Sequence, residues 1–158
     1  MDANKFILCL FLIFSNLNVL GQNKTLQLKI EVTNVQSHVG VILIAIYDSE
    51  ETFLNEPLQY KVIPIAAEAE LPISVQTVFE GLKAGQYAVS VYHDKNKNWE
   101  LDRNWIGIPK EMFGFSNNAK AKFSPPTFDE CSVDISQLQS KASNPEDANS
   151  LVIRLKNW

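Results

Sequence analysis

The stretch "LQLKIEV", residues 26–32, decides the fold class. Its side chains alternate between apolar and polar, and Leu26, Leu28, Ile30 and Val32 fall on one face of an extended chain. Successive side chains of a β-strand point to opposite faces of the sheet, whereas a helix needs an apolar period near 3.6. The stretch therefore predicts a strand with one face buried and the other face in water.

Similar strands recur along the chain. Residues 39–47 (VGVILIAIY) are apolar on both faces, which predicts a central strand covered on both sides. Pro64 interrupts the third strand, so this strand is expected at a sheet edge. The predicted strands lie near residues 26–32, 39–47, 60–65, 73–79, 87–91, 131–135 and 151–155. About seven strands predict an all-β fold, an antiparallel β-sandwich of the immunoglobulin-like or transthyretin-like kind, with a long irregular insertion before the sixth strand.

A glycine-rich turn precedes the fifth strand, with Gly81 and Gly85 followed by Tyr87. In immunoglobulin-like sandwiches, a tyrosine at such a corner bonds its hydroxyl to the nearby backbone. An ordinary hairpin turn with a buried tyrosine fits the sequence equally well, so both interpretations stay open.

The amino terminus has the organisation of a secretory signal peptide. Lys5 precedes the apolar run FILCLFLIF at residues 6–14, and the small residue Gly21 offers a cleavage position. The run is shorter than the roughly 20 apolar residues that span a bilayer. We expect residues 1–21 to be a signal peptide and residues 22–158 to be one β-sandwich domain. The protein is then expected to be exported, to the periplasm or the extracellular space.

The net charge limits the kinds of partner that we expect, and the cysteine count limits the disulfides. The formal net charge is −4, and the sequence has no basic stripe, which argues against nucleic acid and an anionic membrane surface as partners. No later stretch is long and apolar enough to predict an integral membrane span. Cys131 is the one cysteine that follows the predicted signal peptide, so we expect no internal disulfide and a fold stabilised by core packing.

Residues 94–127 do not fit the strand pattern, because they show no sustained period. Structureless segments longer than about 12–15 residues are uncommon in compact domains and are usually functional or disordered. The apolar content of this segment argues against disorder. Its large apolar residues are Trp99, Trp105, Ile106, Ile108, Met112, Phe113, Phe115 and Phe123. We expect a long self-packed loop segment that folds on itself or over the sandwich and carries the functional site.

A series of short motifs occupies this part of the chain. They are His93-Asp94, Leu101-Asp102, Gly107-Ile108-Pro109, Gly114-Phe115-Ser116-Asn117-Asn118 and Pro125-Pro126-Thr127-Phe128. In this order they resemble the exported bacterial family called Domain of Unknown Function 2141, and the resemblance covers most of the chain. It implies an exported bacterial β-sandwich and supplies no activity. One position departs from the family pattern, which usually has glycine after the second loop asparagine, where this chain has Trp99.

The first loop of the segment, "HDKNKNWELD" at residues 93–102, carries oxygen-bearing side chains at alternate positions, as loops that cage a hard cation do. The predicted calcium ligands are Asp94, Asn96, Asn98, Glu100 through its carbonyl oxygen, and Asp102. An EF-hand is excluded, because Trp99 stands where that loop needs glycine and Trp105 where it needs a bidentate glutamate. Two interpretations remain: a looser calcium cage with a Kd of roughly 10⁻⁴ to 10⁻³ M, or a turn whose Asp and Asn side chains bond their own backbone.

An enzyme is the alternative hypothesis. His93, Asp94 and Asp102 would form the polar core of a hydrolase acting on envelope or extracellular polymers. Against it, the sequence contains none of the common nucleophile or zinc-binding motifs, and Cys131 alternates as a core residue would. A lone histidine at a strand end is more often a structural residue that is hydrogen-bonded.

Aromatic and amide side chains of the segment indicate a binding role. Exposed rings stack on sugar faces or anchor a protein partner, although the same rings also serve as the core of a packed loop. The predicted binding residues are His93, Trp99, Trp105, Phe115, Asn117 and Asn118. The sequence therefore predicts a non-enzymatic exported binding or structural module, with an unknown protein or glycan as its partner and calcium as its candidate cofactor.

Overall fold

The fold is described from a computed structural model, in which residues 25–122, 124–141 and 149–158 are described. The predicted signal peptide at residues 1–21 and the predicted apolar residue Phe123 lie outside these ranges. The strands are β1 Leu26–Val35, β2 Val41–Tyr47, β3 Gln59–Pro64, β4 Ile73–Leu82, β5 Gln86–Asp94, β6 Phe113–Phe115, β7 Val133–Asp134 and β8 Ser150–Arg154. The helices are α1 Phe128–Cys131 and α2 Ile135–Lys141.

The strands form two sheets, as an all-β sandwich requires. One sheet has the order β4-β1-β8 and the other the order β3-β2-β5-β6, with the short β7 also paired to β5. The pairs β1–β4, β2–β3, β2–β5 and β5–β6 are antiparallel. The pair β1–β8 is parallel, so the last strand returns to the first sheet in the same direction as β1. The all-β prediction is confirmed, with this one parallel pair added.

The core lies between the sheets and follows the alternation read from the sequence. Leu28, Ile30 and Val32 of β1 are fully buried and contact the inward residues of β2 and β5. The inward residues of β2 are Ile42, Ile44 and Ile46, each fully buried. Burial of one such side chain stabilises the fold by roughly 1.5–3 kcal/mol. The other face of β2 points away from this core and lines a concavity on the outer side of its sheet.

One local prediction is confirmed, and the hydrogen bond of Tyr87 decides between the two interpretations left open for its turn. Strand β3 is at the edge of its sheet and ends at Pro64, as the proline predicts. The Tyr87 hydroxyl donates a hydrogen bond of 3.0 Å to the carbonyl oxygen of Lys83, which is the tyrosine-corner contact. The turn before β5 is therefore tied to the strand by its tyrosine.

The sixth predicted strand, residues 131–135, is shorter than the sequence indicates. Only Val133–Asp134 pair with β5, between the helices α1 and α2. Helix α1 begins at a capping box in which Thr127 and Glu130 exchange hydrogen bonds between side chain and backbone. This cap competes with an extended conformation, so Cys131 ends a helical turn in place of starting a strand. It is still fully buried, as predicted for a core position.

Strand β6 connects the two sheets. Phe113 exchanges backbone hydrogen bonds of 3.0 and 2.9 Å with Lys156, which follows β8, while β6 also pairs with β5. Gly114 faces β8 so closely that a Cβ atom there would lie 2.9 Å from a side-chain carbon of Ile153. The long segment is therefore anchored at β6 against both sheets.

Candidate functional site

Asp94 ends β5 and organises the first loop of the segment. Its side chain is fully buried. One carboxylate oxygen accepts hydrogen bonds from the backbone N–H groups of Lys97 and Asn98, at 2.6 and 3.3 Å. The other oxygen accepts from the N–H of Trp99 at 2.9 Å. The carboxylate thus satisfies three backbone donors, as an Asx-type turn does.

The remaining predicted cation ligands bond to one another and to the loop. Asp102 accepts hydrogen bonds from the side-chain amides of Asn96 and Asn98, at 2.9 and 3.1 Å. The amide oxygens of these asparagines accept backbone N–H groups: Asn96 from Asn98, and Asn98 from Glu100. Glu100 is exposed. The structure therefore brings all five predicted ligands into one loop and gives the oxygens of four of them protein partners.

Glu111 lies outside this loop in the chain but bonds to it, and the sequence did not mark it as a candidate. It is 4% exposed, and its two carboxylate oxygens accept the backbone N–H groups of Lys95 at 2.8 Å and Asp102 at 3.1 Å. It therefore closes the loop by holding both of its ends. No periodic pattern marks a glutamate nine positions beyond the loop for this task, so only the structure identifies it.

His93 is fully buried, and its hydrogen bonds are with backbone groups of two other parts of the chain. Its ring nitrogen Nε2 lies 2.7 Å from the carbonyl oxygen of Val39, and its backbone N–H donates to the carbonyl of Met112 at 2.9 Å. Its exposed fraction is zero. Together with Asp94 it fixes the start of the segment and does not face solvent.

The rest of the segment covers part of the outer face of the five-stranded sheet. Phe113 and Phe115 are buried there, with their rings 5.9 Å apart in an edge-to-face arrangement. They form a second apolar cluster with Tyr47 and Ala88 of the sheet and with Phe128. Phe115 is therefore a packing residue of this outer cluster.

Other apolar residues of the segment point outward. Trp105 is 94% exposed, Trp99 is 59% exposed and Ile106 is 56% exposed. The segment thus divides into a part that packs on the sheet and a part that presents aromatic rings to solvent.

The motif at residues 114–118 joins the segment to both sheets through its polar side chains. Asn117 donates to the carbonyl oxygens of Glu130 and Ser132, at 3.2 and 2.9 Å. Asn118 pairs with the outer edge of β8, donating to Val152 at 3.1 Å and accepting from the N–H of Arg154 at 2.8 Å. Both amides are engaged with backbone groups, so they act here as connectors.

Replacing Asn118 by alanine should lower the free energy of unfolding by about 1–2 kcal/mol, because two backbone groups of β8 lose their partner. Asn117→Ala serves as the comparison, since its amide bonds a neighbouring turn and no strand edge. Urea unfolding of both variants measures the effect. An Asn118→Ala variant with unchanged stability would show that water replaces the amide at no cost.

An aromatic groove runs across the outer face of the five-stranded sheet, where the segment leaves it uncovered. It consists of two adjoining concavities of about 420 and 230 Å³. They share the lining residues Tyr47, Leu54, Ser90, Tyr92 and Trp99, and we call this set the aromatic groove. Tyr60, which is 67% exposed, extends it over β3.

Hydroxyl groups accompany the rings of the aromatic groove. The Tyr47 and Ser90 hydroxyls lie 3.3 Å apart on neighbouring strands. Burial, with the charges of Asp94 and Glu111 adding to it, raises the pKa of Tyr92 to about 12. The Tyr92 hydroxyl therefore stays protonated at neutral pH and can both donate and accept a hydrogen bond.

Two kinds of reactive site find no support in the described part of the chain. Burial, followed by the nearby charge of Glu130, raises the pKa of Cys131 to about 12, so this thiol is not a nucleophile near neutral pH. Among residues 25–122, 124–141 and 149–158, no group of three or more His, Cys, Asp or Glu side chains is arranged to hold a metal ion. Calcium is also bound by asparagine and backbone carbonyl oxygens, which are not among these side chains, so calcium binding by the 94–102 loop stays a prediction.

A family model described as "uncharacterized protein conserved in bacteria (DUF2141)" matches residues 30–143. The chain belongs to this family. The match spans β1 to α2 and includes the 94–102 loop, the aromatic groove and β6. No curated protein and no solved structure matches the chain.

Within this DUF2141 chain, Trp99 occupies a backbone position that suits glycine. Its φ is 68°, in the left-handed region where a side chain is strained. The family resemblance placed glycine at this point of the loop, and the backbone keeps the glycine conformation with a tryptophan in it. The ring contributes to both concavities of the aromatic groove.

No helix among the described residues of this DUF2141 protein is long and apolar enough to cross a membrane.

Proposed function

We propose that this protein is an exported, non-enzymatic binding module that holds a glycan in its aromatic groove. Export rests on the signal peptide predicted at residues 1–21. The observation that carries the binding proposal is Trp99, which is 59% exposed, adopts a φ of 68° and lines both parts of the groove.

The strain at Trp99 supports a role in binding. A side chain in the left-handed region costs about 1 kcal/mol relative to glycine. A tryptophan that stays mostly in water does not recover this cost by packing in the free protein. Strained residues that are also exposed concentrate at ligand sites, where the bound state gives the compensation.

The chemistry of the groove fits a sugar. A pyranose ring has one or two faces of C–H groups and a rim of hydroxyls, so it is recognised by flat aromatic rings with hydrogen-bonding groups beside them. Trp99 and Tyr60 offer exposed rings, while the hydroxyls of Ser90 and Tyr92 offer the polar partners. Two concavities in a row favour an oligosaccharide over a single sugar.

The enzyme hypothesis has less support. His93 and Asp94 are fully buried and bonded to backbone groups, so neither reaches a substrate in this conformation. Asp102 is held by two asparagine amides. These three residues fix the loop that carries Trp99, which gives them a positioning task in the glycan proposal.

The calcium hypothesis stays a prediction for the 94–102 loop. An ion there would compete with hydrogen bonds that already engage Asp94, Asn96, Asn98 and Asp102. Its support is the number of oxygen atoms that these side chains gather in one loop. A bound ion would stabilise the protein by mass action, and this is testable by melting temperature.

The binding proposal is tested with Trp99→Gly. The purified protein and the variant are titrated with a panel of neutral oligosaccharides and peptidoglycan fragments, by isothermal calorimetry. Loss of an anchoring tryptophan should weaken binding by about 2 kcal/mol, or roughly thirtyfold in Kd. The same change should leave stability equal or raise it by about 0.5–1 kcal/mol, because glycine relieves the φ strain.

Trp105→Ala is the matched control, since it removes an exposed tryptophan of the same segment that does not line the groove. It should bind every oligosaccharide as the wild type does. The proposal is wrong if no member of the panel binds the wild type, or if Trp99→Gly binds as tightly as wild type.

A further inference from the structure

A small hairpin at residues 102–110 projects from the long segment. Its ends are joined by the N–H of Lys110, which donates to the carbonyl of Asp102 at 2.8 Å. Its turn is closed by Asn104, whose N–H donates to Ile108 at 2.8 Å and whose carbonyl accepts from Gly107 at 2.9 Å. Trp105 and Ile106 occupy the tip of this turn.

The hairpin is built to hold its apolar residues outward. The Asn104 side chain folds inward and accepts the N–H groups of Ile106 at 3.1 Å and Ile108 at 2.9 Å. The Arg103 guanidinium donates to the carbonyl of Gly107 in the turn at 3.1 Å. Turns usually place polar side chains outside, and this turn reverses the arrangement: Trp105 is 94% exposed and Ile106 is 56% exposed.

The segment that carries this tip is basic. Residues 95–122 contain six Lys or Arg and three Asp or Glu, although the whole chain has 14 basic and 18 acidic residues. All six basic side chains are exposed, whereas one of the three acids, Glu111, is buried, and Asp102 is bonded by two amides. The formal net charge of −4 thus conceals a basic segment on an otherwise acidic chain.

Several of these basic residues lie close to the tip. Arg103 and Ile106 share a small concavity with Ala121 and with Trp158, which is 45% exposed. Lys120 and Lys122 flank Ala121 in the chain, so they lie beside the hairpin. Aromatic, aliphatic and basic groups therefore lie together at the hairpin, and we call this set the hairpin surface.

We propose that the hairpin surface binds an anionic lipid bilayer, with Trp105 and Ile106 inserted at the headgroup level. Tryptophan prefers the membrane–water interface, because its ring is apolar and its N–H is polar. Shallow apolar insertion combined with lysine and arginine is the arrangement that binds anionic lipid surfaces reversibly. The charge of the segment favours this occupant over a neutral glycan.

The hairpin surface and the aromatic groove adjoin at Arg103, but they carry different tryptophans. Trp105 does not line the groove, and Trp99 is not part of the hairpin tip. The lipid proposal can therefore fail without affecting the glycan proposal.

The test is co-sedimentation of the purified protein with vesicles of phosphatidylcholine containing about 30% phosphatidylglycerol, and with vesicles of phosphatidylcholine alone. We expect binding to the anionic vesicles only, weakening as salt is raised from about 0.05 to 0.5 M. Trp105→Ala should reduce the partition coefficient at least about tenfold. Because the exposed Trp105 side chain contributes no packing, the melting temperature of the Trp105→Ala variant should match that of the wild type.

Two further variants separate the contributions. Lys110→Glu combined with Lys120→Glu should abolish binding to anionic vesicles, since it reverses two exposed charges. Trp99→Ala, the matched tryptophan outside the hairpin, should bind the vesicles as the wild type does. Binding that survives Trp105→Ala, or a wild type that does not sediment with anionic vesicles, overturns the proposal. A dimer in solution that Trp105→Ala disrupts would assign the tip to a second copy and overturn it as well.

Discussion

Replacing Gly40 by alanine should lower the free energy of unfolding by at least about 4 kcal/mol, through combined φ strain and overpacking. Gly40 lies at the start of β2 with a φ of 99°, which a side chain rarely adopts. A Cβ atom there would lie 2.1 Å from the carbonyl oxygen of Asp94 and 2.6 Å from the Cα of Lys95. Both contacts are with backbone, so no rotamer change relieves them.

The clash would act where β5 passes into the 94–102 loop. Val41, which follows Gly40, is paired with Asp94 across β2 and β5. Val39, which precedes Gly40, accepts the hydrogen bond of 2.7 Å from His93. Moving this backbone apart would therefore disturb the sheet and the loop together. We expect a melting temperature lower by at least about 10 °C, or a protein that does not fold.

Gly81→Ala is the matched control for this substitution. Gly81 has a φ of 74°, but no atom lies within 4 Å of a Cβ built on it. It should show the strain alone, about 1–2 kcal/mol, and the difference between the two variants isolates the overlap with Asp94. Equal losses in both variants would show that the backbone near Asp94 yields easily.

The strands could be predicted because alternation is a local signal. Around Leu28 and Val89, alternation with neighbouring residues identified the buried face, whereas the run around Ile44 is apolar on both faces and identified only a strand. The parallel return of β8 beside β1 could not be predicted, since pairing between distant strands leaves no mark in either one. The sixth predicted strand was too long, because the capping box of Thr127 and Glu130 places Cys131 in a helical turn and leaves only Val133–Asp134 as β7.

The sequence predicted an irregular segment at residues 94–127, but it did not predict the aromatic groove, whose other shared residues Tyr47, Leu54, Ser90 and Tyr92 lie outside this segment. A long stretch with many apolar residues indicated where the chain departs from the sheet pattern. Composition does not tell which rings pack, and so Phe113 is buried while Trp105 is 94% exposed. Hydrogen bonds decide this: the inward Asn104 turns Trp105 out, whereas β6 pairing places Phe113 on the sheet. Glu111 was missed because its role also depends on hydrogen bonds of the folded backbone, here those from Lys95 and Asp102.

Replacing Asp94 by alanine should cost about 3 kcal/mol of stability in calcium-free buffer, because it leaves three loop N–H groups without their acceptor. The Asp94 carboxylate is fully buried and accepts from Lys97, Asn98 and Trp99. Hydrogen bonds to a charged acceptor contribute about 1.5–3 kcal/mol each, and partial access of water to the loop recovers some of this sum. The melting temperature should fall by about 6–12 °C.

Asp102→Ala is the matched control, since this carboxylate lies in the same loop but accepts only the two asparagine amides. Those amides can turn to water, so the loss of the Asp102 carboxylate should lower the free energy of unfolding by less than about 1 kcal/mol.

Melting temperatures of the wild type and both variants, each with chelator and with calcium up to about 10 mM, separate the two interpretations of the loop. A calcium-dependent rise in the wild type that both variants lose would support the cation site. Without such a rise, the large cost of Asp94→Ala and the small cost of Asp102→Ala would assign the loop to its own hydrogen bonds. Equal costs in the two variants would contradict the organising role of Asp94.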